Sequence, residues 1–141
     1  MKPDHSKSEP EGLRPRLQAV RESLIKLHKA LVDSERVEYE HTMGKIHSPN
    51  HFLQLLTSDP WFAWLSPLSQ LIVSMDEALD AKEPLTAPIL HALTDQAKKL
   101  VAPGEAGQGF ARHYFDAMQR DPDVVLAHGD FTKAFRQKPA K

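Results

Sequence analysis

Glu35, Glu38 and His41 follow one another at helical spacing on what reads as the end of a long first helix, and they are the best candidates for chemistry here. Glu38-Tyr39-Glu40-His41 contains Glu-x-x-His, a spacing that points a carboxylate and an imidazole the same way from one helix. His113-x-x-Asp116 has the same separation in reversed order, beside Phe110 and Tyr114. Glu35 has a further peculiarity. It continues a stripe formed by Leu13, Leu17, Val20, Leu24, Leu27 and Leu31, whose alternating spacings of four and three mark one buried helical face. A carboxylate on such a face needs a cation, a metal or hydrogen-bond donors. The switch from leucine to glutamate therefore marks either a polar site or the place where the helix leaves the core.

Di-iron carboxylate bundles take Glu-x-x-His from two helices and further glutamates from two more. This chain carries the motif once, so it is similar to half of that pattern. A metal reading uses Glu35, Glu38, His41, His113 and Asp116 as ligands, with iron, manganese or zinc as the metals such ligands accept. The favoured reading has no cofactor, with Glu35 and Glu38 hydrogen-bonded or solvated at a polar end of the fold.

Other residues suggest binding. His28 lies inside the leucine stripe, where a lone histidine is more often hydrogen-bonded than metal-ligating. Tyr39 flanks the same face. Trp61 and Trp64 fall in the aromatic run Asp59-Pro60-Trp61-Phe62-Ala63-Trp64-Leu65, which reads as a pinned helix junction. Its alternative role is a ligand anchor, since Trp dominates binding hot spots. A small-molecule pocket between this turn and the first helix is a further possibility. Gly104-Glu105-Ala106-Gly107-Gln108-Gly109 lacks the Gly-Lys-Ser/Thr ending of a phosphate loop and reads as a connection.

Elements that position these residues are legible from proline. Ser48-Pro49, Asp59-Pro60, Ser66-Pro67 and Asp121-Pro122 each put a capping residue before a proline, and Thr86-Ala87-Pro88 is a looser version. Such pairs start helices: the cap accepts from free N–H groups, and proline has none to leave unpaired. The segments between are apolar at helical spacing, and none alternates with period two between hairpin turns. The fold class is all-α, an antiparallel helical bundle with one long N-terminal helix, in a single domain over 12–136. Residues 1–11 read as a disordered tail without a signal peptide's apolar stretch, and 137–141 as a basic tail.

Length adds an expectation. A first helix from Leu13 to Ile46, roughly 34 residues, measures ~50 Å, longer than the roughly 37 Å of a domain this size. It should overhang, or break near His28 or Ser34. An overhanging leucine stripe implies a partner, and a homodimer is the commonest cover.

Eighteen basic against nineteen acidic residues leave a formal charge of −1, which argues against nucleic acid or an anionic membrane as partner. The absence of cysteine excludes disulfides and thiol chemistry and fits the cytoplasm. No nucleophile, base and oxyanion donors can be assembled. The chain reads as a non-catalytic binding or interaction module, with a carboxylate/histidine metal bundle or a small-molecule-binding bundle as alternatives.

Overall fold

Proline opens four of the six described α-helices. The computed structural model describes residues 9–104 and 109–136. It holds six α-helices: α1 (Leu13–Met43), α2 (Pro49–Ser58), α3 (Ser66–Asp80), α4 (Ala87–Leu100), α5 (Phe110–Arg120) and α6 (Pro122–Arg136). A 3₁₀ helix, Pro60–Leu65, joins α2 to α3, and the described residues contain no strand. The side chains of Ser48, Asp59 and Thr86 accept from the N–H groups of His51, Trp61 and Ile89, and Asp121 accepts from Asp123. Ser66 departs from the expected pattern and is already helical. The 3₁₀ helix runs straight into α3, and the Ser66 N–H bonds to the Ala63 carbonyl, so no side-chain cap is needed.

α1 is unbroken through His28 and Ser34 and runs for 31 residues, or about 47 Å. It stops at Met43, short of Ile46, because Gly44 takes φ 114° and ψ 171°, a backbone state open to glycine and costly for other residues. The leucine stripe does not overhang. Leu17, Val20, Leu24, Leu27 and Leu31 are all 0% exposed within the single chain, covered by α6, α3 and α4. This removes the exposed apolar stripe from which a dimer was expected. What projects is the polar end: Glu35 is the last buried residue of α1, while Val37, His41, Thr42 and Met43 are exposed.

Cross-links establish the antiparallel register. Arg21 pairs with Asp76, and His28 meets Ser69 at 2.9 Å, so α3 runs against α1. Arg16, near the start of α1, donates to the Phe135 carbonyl in the last turn of α6 at 2.6 Å. The segment before α1 is tied down too. Both Glu9 oxygens accept from Arg14 at 3.0 Å, and Glu9 also accepts from the Leu85 N–H. Arg14 in turn donates to the Leu79 carbonyl. The tail boundary drawn at residue 11 therefore falls within a structured network. The rest of that tail, the basic tail at 137–141 and the connection at 105–108 lie outside the described residues. No described helix is long and apolar enough to cross a membrane.

Leu24 sits at the centre of this core, so Leu24→Ala should destabilise by about 3–5 kcal/mol in urea unfolding. Thr86→Ala should cost about 1 kcal/mol by loss of the α4 cap.

Candidate functional site

The Glu35 carboxylate is buried and saturated by protein groups. Its Oε1 accepts from Arg120 Nη2 at 3.1 Å and its Oε2 from Trp61 Nε1 at 2.8 Å. Arg120 Nε donates to Ser34 Oγ at 3.1 Å. One ion pair thus joins α1, the 3₁₀ helix and the C-terminus of α5. Arg120 lies three residues after the buried Ala117 on the inward side of α5, and its long stem lets the guanidinium reach back to α1. Arg120 and Ser34 were not among the residues singled out from sequence. The sequence carries no sharp signal for Arg120, because it lies one turn after Ala117 but about 120° around the helix from Tyr114.

The other carboxylates and histidines go elsewhere. Glu38 and His41 do face one another, at 3.8 Å, but in the open: their side chains are 41% and 75% exposed. His113 stacks on Trp64, with ring centroids 5.0 Å apart and planes at 17°. Asp116 pairs with Arg112 on the surface of α5. The five candidate ligands are therefore spread over separate places. Among the described residues no group of three or more His, Asp or Glu side chains gathers as a metal site would require.

The aromatic run does act as a junction. Tyr39 packs edge-on to Trp61 and against Phe62, both at 5.6 Å. Phe52 of α2 meets Phe62 at 5.8 Å, and the Arg36 guanidinium lies 4.8 Å from the Phe52 ring centre. Trp64 turns the other way, between His113 and Phe110. Its Nε1 is buried without an acceptor among the described residues. Both tryptophans are half-buried.

Beside this junction a cleft of about 670 Å³ opens between α1, the end of α2, the 3₁₀ helix and the start of α3. Leu56, Pro60, Phe62, Ala63 and Leu65 give it apolar walls, and the hydrogen-bonded pair His28 and Ser69 lines it as well. Burial lowers the His28 pKa from its ordinary 6.5, so the ring is neutral near pH 7. Thr57 and Ser58 also border the cleft, but their hydroxyls donate to carbonyls of their own helix. Asp59 is engaged as the cap of the 3₁₀ helix. Ser69 escaped the sequence reading because a serine on a helix carries no pattern until its neighbours are known.

Compared with models of known protein families, with curated proteins and with solved structures, the chain matches none.

Arg120→Ala strands a buried carboxylate and should cost about 3–5 kcal/mol, whereas Glu35→Leu with Arg120→Met should recover most of that loss. Trp61→Phe keeps the ring but drops the donor to Glu35, and should cost about 1–3 kcal/mol. Both effects are read by chemical denaturation. For His28 the unfolded chain binds the proton more readily. Its contribution to stability is complete above pH 6.5 and is lost as pH falls through the lowered folded-state value. His28→Gln should flatten the pH dependence of the melting temperature below that point.

Proposed function

We propose that this chain is a non-catalytic binding module that holds a small, uncharged and largely apolar molecule in the cleft beside His28 and Ser69. The observation that carries this reading is the cleft itself. Its volume of about 670 Å³ lies in the range of roughly 300–1,000 Å³ occupied by ligand sites, which pair apolar walls with a few placed polar groups. Leu56, Pro60, Phe62, Ala63 and Leu65 supply its apolar walls, no lysine or arginine lines it among the described residues, and the His28–Ser69 pair supplies one neutral polar station. An anion would find no counter-charge there among the described residues, and the one carboxylate on its border, Asp59, is held by its Oδ1 as the cap of the 3₁₀ helix. The lack of cysteine is in keeping with action in the cytoplasm. Self-association is not required, because the leucines that would have driven it lie inside the core.

The same 2.9 Å contact is also how a serine–histidine dyad begins. Among the described residues, however, no carboxylate bonds to His28 to orient its ring, which favours binding over acyl transfer.

A neutral dye such as Nile red should bind the wild-type chain and gain fluorescence. Ala63→Trp, which fills the cleft from an exposed position, should abolish that gain with the melting temperature unchanged. Undiminished dye binding to this variant would overturn the reading. Ester hydrolysis that is lost in Ser69→Ala would favour the dyad instead.

A further inference from the structure

A second cleft, of about 390 Å³, lies between the end of α4 and the last turns of α6, and its chemistry is the opposite of the first. Val101, Pro103, Phe131 and Phe135 form an apolar floor, while Lys98 and Arg136 stand on its border and no carboxylate lines it among the described residues. Cations converge here from three helices. Lys98 Nζ of α4 lies 5.6 Å from the Phe135 ring centre, and the Arg16 guanidinium of α1 lies 5.7 Å from the same ring. Arg136 follows Phe135 directly on α6.

One neutral group adds direction. His128 lines the cleft, and its Nδ1 lies 2.6 Å from the hydroxyl of Tyr114, a side chain with 0% exposure. Burial raises the Tyr114 pKa and lowers that of His128, so the phenol keeps its proton and the imidazole is neutral. A buried hydroxyl needs an acceptor, and the His128 nitrogen is the one it has among the described residues. The phenol therefore donates to Nδ1, which fixes the tautomer and leaves the hydrogen on Nε2. The His128 ring then brings a hydrogen-bond donor to a cleft already bordered by two cations.

We propose that this cleft binds a small amphipathic carboxylate, its chain on the Phe131–Phe135 floor and its head between Lys98, Arg136 and the His128 Nε2–H. The apolar floor selects against free inorganic anions. The cationic border selects against neutral molecules of the same length, because an unpaired ammonium or guanidinium gains nothing from a hydroxyl that water does not supply. The first cleft has no such border, so the two sites divide charged from uncharged ligands.

The test is isothermal titration calorimetry of the full chain with octanoate, with octanol as the uncharged probe of equal chain length. Octanoate should bind at one site, and octanol at least about tenfold more weakly, the value of one charge-assisted contact. Lys98→Ala and Arg136→Ala, both at exposed positions, should each weaken octanoate about three- to tenfold, as expected for border charges. Thr132→Trp, which fills the cleft, should abolish octanoate binding, with an unchanged melting temperature showing that the fold persists. The proposal is overturned if octanoate gives no binding heat or octanol binds equally well. It also fails if octanoate affinity ignores both the charge removals and Thr132→Trp. Every titration is run on the chain carrying Ala63→Trp, whose His28 cleft is filled, so octanol entering that cleft cannot be mistaken for binding here.

Discussion

A buried carboxylate cannot be left alone, and Glu35 is the last buried residue of a helix whose buried face is otherwise mostly leucine and valine. Once it is inside, the chain must deliver a cation and a donor to it. Trp61, 26 residues further along the chain, and Arg120, 85 residues further along, do so. The ion pair is not by itself a large source of stability, since desolvating both charges offsets much of their attraction. What it imposes is geometry. Only an arrangement that brings the C-terminus of α5 and the 3₁₀ helix together against α1 satisfies the charge, and any slip leaves it stranded.

The first cleft follows from that constraint. Trp61, held by Glu35 and packed on Tyr39, anchors the 3₁₀ helix at one end. The buried side chains of Phe62 and Leu65 hold it along its length. The short, stiff segment cannot collapse onto α1, so space remains between them where His28 and Ser69 meet. The second cleft has a different origin. α4 ends at Leu100, and Val101 and Pro103 just beyond it, with Phe131 and Phe135 of α6, border a space that the core does not fill. The two sites thus differ in charge because they are bounded by different parts of the helices, one by a turn without basic residues and the other by basic last turns.

Much of the architecture was legible because it is written locally. Ser48, Asp59, Thr86 and Asp121 cap the elements they precede, since capping needs only neighbours in sequence. The leucine spacing identified the buried face of α1 correctly for the same reason. The end of α1 was placed too late because Gly44 was not weighed as a terminator. The expected overhang of leucine failed because a stripe shows that a face is buried without showing what buries it. Here α6, α3 and α4 cover the leucines, and the 3₁₀ helix and α5 supply the partners of Glu35.

For the candidate sites the division is sharper. The sequence by itself determined that Glu35 continues a buried face, that His28 sits within it, and that the tryptophans mark a junction next to it. Each of these is a statement about periodicity along one element, which the backbone geometry of a helix enforces. Only the tertiary structure decided which group answers each polar side chain. Arg120 answers Glu35, Ser69 answers His28, and Tyr114 answers His128, while Glu38 and His41 are left to the solvent. Partners separated by tens of residues follow no periodic rule. Their meeting depends on how six helices pack around one stripe, and a side chain's chemistry is set by its neighbours in space.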